Sequence, residues 1–436
     1  MVIAAGAIIA LAAWPHFISS RSSANALDPL ARLTPAPLRH DELVRDKTIA
    51  FYEHAIGRNP GDQITPRLLA GEYLQRYREK GDVGDVLRAR RMAAISLKAQ
   101  PQGNGAGDVA MASALLTLHR FREARMYIGN AQSLDKGDPG PASYEASLDF
   151  ELGDYAAGKK LLDGVPARFR SEPGYQTVHS RYDELTGHLF DARRELNRAL
   201  REVDAVYDIP AERRAWYHFR AGELAFLAGD VDGAIAQEHT ALKEFPNDAP
   251  AYNSLARFYA STHNWKAALD AAQKGAALVP LPETLGYEAD AQAALGDTAT
   301  AAQTRDEIFA IERIGNAYRI SDRLLAVYYD DHGLRLHDAY AIARRELELR
   351  DDIYTKDTLA WAAAMDGRWD EAKRASTKAM AYGTEDSRLW YHAGMIAAHF
   401  GDTATEKQDL EKALALNGSF HPVYADRARA TLASLK

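Results

Sequence analysis

The chain has 436 residues, of which 47% are hydrophobic and 26% are charged, so its composition is that of a globular protein. These proportions exclude an intrinsically disordered chain, and 30 glycines with 17 prolines are too few for a fibrous one. The 61 acidic residues outnumber the 53 basic ones, and the net charge of −8 makes nucleic acid and anionic membrane surfaces unfavourable partners. The chain has no cysteine, which excludes disulfides, thiolate metal sites and a cysteine nucleophile.

The first 26 residues have the pattern of a secretory signal peptide. Residues 2–14 are an unbroken apolar run, Pro15 interrupts it, and a small-x-small triplet ends at Ala26. The run is shorter than the roughly 20 residues that a membrane-spanning helix needs, and no basic residue precedes it. We predict that residues 1–26 are a signal peptide, with an N-terminal membrane anchor as the alternative, and that the protein is exported to the periplasm or beyond. Residues 27–40, which contain three prolines, are predicted to form a linker.

From residue 41 onward the chain is predicted to be helical, because apolar residues recur at three- and four-residue steps. Small residues recur at longer steps of 33 and 34 residues in two alternating helices: Gly222, Ala256 and Ala289 in one, and Ala234, Ala268 and Ala301 in the next. Two helices and a short turn in such a period indicate a helical repeat. We expect a solenoid over residues 41–419 and a capping helix over residues 420–436. Its ten hairpins are predicted to begin near residues 66, 105, 141, 174, 211, 249, 283, 319, 354 and 387.

One segment of the repeat follows a known family pattern. The motif Tyr252-x2-Leu255-Ala256-x2-Tyr259 is followed by Ala268-x3-Ala272 and by Pro280. In this order of residues the chain resembles the tetratricopeptide-repeat (TPR) superfamily. The resemblance implies an all-α fold, a right-handed α-solenoid of about ten antiparallel helix-turn-helix hairpins. The C-terminal segment, with Leu359-Ala-Trp361, resembles exported bacterial TPR proteins of unassigned role, a likeness that implies no biochemical activity.

The sequence contains no constellation that supports catalysis or a bound cofactor. Residues 153–160 (GDYAAGKK) approach a phosphate-binding loop, but Lys160 replaces the hydroxyl that would hold Mg²⁺. His332 and His337, beside Asp330 and Asp331, could bind a borderline metal ion, although surface or packing roles are favoured because the spacing matches no zinc motif. We therefore predict a non-enzymatic protein without cofactor or metal. The alternative is an accessory or metal-handling factor, for an exported or membrane enzyme system, that uses the His332/His337 region.

In the TPR family the first helix of each hairpin lines the concave face, so the resemblance places a partner there. The residues assigned to this groove combine aromatic groups with charge: Trp216, Phe219, Arg257, Arg323, Tyr354, Trp361, Arg388, Tyr391 and Met395. Such a mixture suits a peptide or protein partner better than a polyanion, so we expect no nucleic acid, and no membrane contact beyond the N-terminal segment. Helical spacing is equally typical of aromatics that pack between hairpins, which leaves two interpretations for each of them.

Overall fold

The computed structural model describes residues 40–59, 61–134, 139–206, 209–317 and 323–435. The predicted signal peptide, and the predicted linker as far as residue 39, lie outside these ranges. Within them the chain forms 22 α-helices and one short 3-10 helix, with no β-strand. In the same ranges no helix is both long enough and apolar enough to cross a membrane. The prediction of an all-α fold is confirmed.

A single helix, α1 (His40–Arg58), precedes ten hairpins in the described ranges, and α22 (Tyr424–Ser434) follows them. The first helices of the hairpins are α2 (Ile64–Lys80), α4 (Gly105–Thr117), α6 (Pro139–Glu151), α8 (Pro173–Leu185), α10 (Ala211–Leu227), α12 (Ala249–Ser261), α14 (Pro282–Ala294), α16 (Arg323–His332), α18 (Ile353–Met365) and α20 (Ser387–His399). The second helices are α3 (Val83–Ala99), α5 (Phe121–Leu134), α7 (Tyr155–Gly164), α9 (Leu189–Asp204), α11 (Val231–Glu244), α13 (Trp265–Leu278), α15 (Thr298–Ala317), α17 (Leu336–Leu349), α19 (Trp369–Ala379) and α21 (Thr403–Leu416). Nine hairpins begin within two residues of the predicted position, and the eighth was expected within the gap at 318–322.

Glycine and aspartate form the turn inside several hairpins. Gly229 ends α10 with φ of 77°, a left-handed conformation that glycine adopts without steric cost. Asp230 then accepts a hydrogen bond from the backbone N–H of Gly233 and caps α11. The same pair recurs at Gly401, with φ of 72°, and at Asp402, which caps α21. These local signals fix where one helix ends and the next begins.

The two helices of a hairpin pack closely because small side chains lie where they cross. Ala234, Ala256 and Ala268 are completely buried, and a Cβ on Gly222 would lie 3.2 Å from the carbonyl oxygen of Ala234. Such contacts bring helix axes near the short end of the usual range of about 8–10 Å. The register predicted from the period is confirmed at these positions. Since one hairpin cannot bury its own apolar face, each depends on its neighbours for stability.

Successive turns of the superhelix touch each other. The turn of the fourth hairpin meets the loop between the ninth and tenth, where Thr384 donates from Oγ1 to the carbonyl oxygen of Leu185 at 2.6 Å. The turn of the fifth hairpin meets the residues after the tenth, where Asn417 donates from Nδ2 to the carbonyl oxygen of Phe226 at 2.7 Å. The two partners of the first hydrogen bond are 199 residues apart along the chain, and those of the second are 191 apart. This similar offset shows that one superhelical turn lies directly on the next.

We call this line of contact the seam, and it consists of residues 151–153, 185–189 and 226–229 on one turn and residues 350–353, 382–385 and 416–417 on the other. Gly187 shows how close the approach is, because a Cβ there would lie 2.6 Å from the carbonyl oxygen of Gly383. Gly401 occupies the equivalent place in the tenth hairpin, beyond the seam, and a Cβ there would meet no atom within 4 Å. The inner turn of the tenth hairpin therefore lies outside the seam.

The first helices line the concave face of the superhelix. First helices of neighbouring hairpins contact each other along the superhelix, as α6 does with α8, α12 with α14, and α16 with α18. We call this concave face the lumen.

Candidate binding surface in the lumen

First helices face each other across the lumen. Tyr354 on α18 donates a hydrogen bond from its hydroxyl to Glu184 on α8 at 3.3 Å, although 170 residues separate the two. Because α8 and α18 belong to the fourth and ninth hairpins, this bond crosses the interior and does not join neighbours. The lumen surface, as we use the term, consists of the charged and aromatic side chains of the first helices at this depth: Arg181, Glu184, Arg220, Glu223, Arg257, Tyr287, Arg323, Asp331, Tyr354 and Arg388.

Glu184 is the centre of one charge cluster on the lumen surface. Arg181 donates from Nη1 to Oε1 of Glu184 at 2.6 Å, and Arg220 donates from Nη2 to Oε2 at 2.8 Å. The side chains of Glu184 and Arg220 are only 5% and 9% exposed. Removing one member of such a cluster leaves a buried charge uncompensated, which costs about 3–5 kcal/mol. The cluster therefore holds α8, α10 and α18 in one fixed arrangement.

Glu223 and Arg257 form a second pair, between α10 and α12. Arg257 donates from Nη2 to both oxygens of Glu223 at 2.6 Å, and Ser254 donates to Oε1 at 2.5 Å. Burial alone would raise the pKa of Glu223, but the charge and hydrogen bonds of Arg257 outweigh it and the pKa is lowered. The Arg257 guanidinium also lies 5.1 Å from the ring centre of Phe226. The side chain of Arg257 remains 26% exposed, so it is accessible from the lumen.

Asp331 on α16 joins the C-terminal segment to the lumen surface. Arg388 donates to Asp331 at 2.5 Å and the hydroxyl of Tyr424 donates at 2.8 Å. His421 accepts backbone N–H groups at Nδ1, so its proton lies on Nε2, which faces Asp331 at 3.5 Å. Burial would raise the pKa of Asp331, yet Arg388 and these hydrogen bonds hold it well below its usual range. The chain after α21 is thus joined to the lumen surface at Asp331.

Three of the nine predicted groove residues are buried, and the other six are half-buried. Trp361, Tyr391 and Phe219 are buried, with 6%, 0% and 9% of their surface exposed. The cause at the first two is Tyr424, whose ring stacks on Tyr391 at 4.6 Å and meets Trp361 edge-on at 5.9 Å. For these aromatics the packing interpretation describes the structure. Six predicted residues remain half-buried: Trp216, Arg257, Arg323, Tyr354, Arg388 and Met395.

The two histidines of the metal hypothesis are not brought together. His332 faces Asp290 with Nε2 at 2.9 Å and donates from Nδ1 to the carbonyl oxygen of Tyr328 at 2.7 Å. Burial lowers the pKa of His332, but the hydrogen bond and charge of Asp290 outweigh it, so the pKa is raised. The side chain of His337 is 75% exposed and lies 3.4 Å from Asp366. No group of three potential ligands with metal-binding geometry occurs in the described residues.

The sequence did not identify Glu184, Arg220 or Tyr424 as part of this surface. Their contacts join hairpins that are far apart in the chain, and no periodicity connects the fourth hairpin with the ninth. One signal was available, because Arg-x2-Glu occurs at Arg181 in α8 and again at Arg220 in α10. The recurrence of this motif on two first helices predicts a row of charged side chains. Only the tertiary structure shows that this row faces the lumen.

The comparisons with known proteins support the fold. No family model and no curated protein matches the sequence. Among solved structures, the human IFIT1 dimer with PPP-AAAA has a TM-score of 0.50 at 15% identity, over 74% of this chain and 73% of that one. A monomeric IFIT1 mutant with m7Gppp-AAAA has a TM-score of 0.52 at 15% identity, over 78% and 76%. PilW, a type IV pilus biogenesis factor, has a TM-score of 0.40 at 16% identity, over 47% and 92%.

At these identities the likeness shows the fold alone. The two IFIT1 structures cover about three quarters of both chains with an arrangement of helices like the one described above. Together with the repeat in the sequence, this shows a TPR-like helical-repeat fold.

Proposed function

We propose that the protein is a non-catalytic scaffold that binds a segment of polypeptide on its lumen surface. The observation that carries this proposal is the fixed mixture of charge and aromatic surface facing the lumen, with Arg257, Arg388 and Tyr354 half-buried. A preformed surface of this kind can bind an extended chain without losing side-chain entropy of its own. The carboxylates and guanidinium groups offer partners of both signs to such a chain.

Polypeptide is favoured over RNA because four of the five arginines of the lumen surface are paired with carboxylates. Arg181 and Arg220 share Glu184, Arg257 is paired with Glu223, and Arg388 with Asp331 (pairs at 2.5–2.8 Å). Affinity for nucleic acid comes mainly from neutralising backbone phosphates with unpaired cations. Carboxylates along the same surface would repel successive phosphates. The RNA oligomers in the IFIT1 structures are ligands of that protein, and the fold likeness does not transfer them.

The proposal includes a location outside the cytoplasm. It rests on the apolar run at residues 2–14, the break at Pro15 and the small-x-small triplet ending at Ala26. We propose that residues 1–26 direct export and that the scaffold acts in the periplasm or beyond, or is held at the membrane by that segment. N-terminal sequencing of protein from its native host tests this. Intact Met1 in a soluble cytoplasmic fraction would contradict it.

Site-specific photo-crosslinking in the native host tests the proposed binding surface. A benzophenone amino acid replaces Met395, on a first helix, in one variant, and Glu411, on the exposed side of a second helix, in the control. We expect a protease-sensitive adduct from position 395 and none of the same mass from position 411. An adduct only from position 411 would move the interface to the outer surface. An adduct at 395 that ribonuclease removes would replace the polypeptide by RNA.

A further inference from the structure

Arg323 differs from the other arginines of the lumen surface. Four of them are engaged by carboxylates at 2.5–2.8 Å: Arg181, Arg220, Arg257 and Arg388. No carboxylate of the described residues forms an ion pair with Arg323, and its buried Nε–H has no acceptor. The residue as a whole is half-buried, so part of its side chain remains exposed. A buried N–H group without an acceptor is costly, which calls for a reason.

The surroundings of Arg323 hold it in place through a ring contact and through charges that do not hydrogen-bond to it. Its guanidinium lies 5.8 Å from the ring centre of Tyr354, and that of Arg181 lies 5.3 Å from the same ring. Arg350 adds its positive charge, while the carboxylates of Asp352, Glu346 and Glu151 add negative charge. Burial and Arg350 outweigh these carboxylates and lower the pKa of Arg323, whereas the pKa of Arg181, Arg257 and Arg388 is raised. Within the described part of the chain, the Nε–H of Arg323 is thus a preoriented donor without a direct acceptor.

We propose that Arg323 binds the side-chain carboxylate of an aspartate or glutamate in the polypeptide ligand, between the Tyr354 ring and the lumen. This site specifies the ligand of the proposed function and so rests on it. A guanidinium presents parallel N–H donors that match the two oxygens of a carboxylate. The Tyr354 ring fixes the plane of the guanidinium before the ligand arrives, so little side-chain entropy is lost on binding.

The chemistry around Arg323 favours one isolated carboxylate over a phosphate chain. Glu184 accepts the Tyr354 hydroxyl, and Glu151, Glu346 and Asp352 are all paired with Arg350. A ligand with charges at every residue would meet these carboxylates as soon as it extended past Arg323. An acidic residue flanked by neutral or basic residues would not. The ligand segment is therefore expected to carry a single acidic anchor at this position.

Thermal denaturation of the full chain with small ligands tests the site before any partner is known. The ligands are glutarate, its neutral analogue glutaramide and inorganic phosphate, each titrated at constant ionic strength. Because a ligand that binds only the folded state raises the melting temperature, glutarate should raise it in a saturable way and glutaramide should not. Arg323→Gln should weaken the apparent glutarate affinity about tenfold or more, which corresponds to about 1.4 kcal/mol. Arg344→Gln, at an exposed arginine of α17, is the matched control and should respond like wild type.

The outcomes separate this site from the wider proposal. Equal effects of glutarate and glutaramide, or an unchanged glutarate response in Arg323→Gln, would overturn the site. Phosphate binding that exceeds glutarate and depends on Arg323 would also overturn it, in favour of a phosphorylated ligand. If Arg323→Gln does not fold, Arg323→Lys replaces it, because lysine keeps the positive charge but lacks the parallel N–H donors of the guanidinium. The affinity of this variant for glutarate should still fall several-fold. A glutarate response with no polypeptide adduct at position 395 would refute the proposed function and leave the anion site intact.

Discussion

Replacing Gly187 by alanine tests whether the seam stabilises the superhelix. Gly187 has φ of 77°, and a Cβ on it would lie 2.6 Å from the carbonyl oxygen of Gly383 on the next superhelical turn. Gly401→Ala is the matched control, because Gly401 has φ of 72° at the same place in its hairpin and open space where a Cβ would lie. The two substitutions share the cost of a left-handed alanine and differ only in the seam.

The magnitudes follow from the contacts on each side. A left-handed alanine costs about 1–2 kcal/mol, which is the whole effect expected for Gly401→Ala. At Gly187 the new Cβ also has to push the two turns apart. This separates Thr384 Oγ1 from the Leu185 carbonyl oxygen, now at 2.6 Å, and the backbone N–H of Leu189 from Glu385, now at 3.1 Å. Two such hydrogen bonds add about 2 kcal/mol, so Gly187→Ala should cost about 3–4 kcal/mol.

Urea unfolding followed by circular dichroism measures the difference, and small-angle scattering shows whether the folded superhelix opens. We expect a lower urea midpoint and a larger radius of gyration for Gly187→Ala than for Gly401→Ala. Thr384→Val should cost less in the Gly187→Ala background than in the wild type, since both changes act on the same contact. Equal midpoints and equal radii for the two glycine variants would refute the reasoning, because they would mean that the seam carries no free energy.

Three further predictions concern the buried residues. Ala268→Asp places a carboxylate at a completely buried helix crossing and should cost about 3 kcal/mol or more in urea unfolding; a wild-type midpoint would mean that the repeat register is wrong. Burial raises the pKa of Asp248 to about 7 and that of Asp330 to about 9, above the ~4 of the unfolded chain. The free energy of unfolding should therefore fall from about pH 4 to pH 9, because in this window the folded state keeps protons that the unfolded state has lost, and Asp248→Asn should flatten the lower half of this fall. Tyr391→Ala should cost about 3–5 kcal/mol because it leaves a cavity beside Tyr424, whereas an accessible groove residue would leave the unfolding midpoint unchanged.

The location of the candidate site could be predicted only in part. Four of the predicted residues do lie on first helices and remain half-buried: Arg257, Arg323, Tyr354 and Arg388. Their positions could be predicted because the 34-residue step fixes the register of these helices. The same register placed Trp361 on the lumen side, where Tyr424 now buries it. Register fixes the face of a helix from which a side chain projects. It does not fix what else in the chain reaches that face.

The sequence alone determined the helices, the hairpins and the crossing contacts, because each depends on residues close together in the chain. Gly229 ends a helix and Asp230 caps the next through bonds that span only a few residues. The tertiary structure alone decided that the superhelix closes on itself, as Thr384 meeting the Leu185 carbonyl oxygen shows. That contact depends on a small rotation between each hairpin and the next, summed over more than five hairpins. A slight change in any one rotation would separate the turns, and no local pattern of residues specifies the sum.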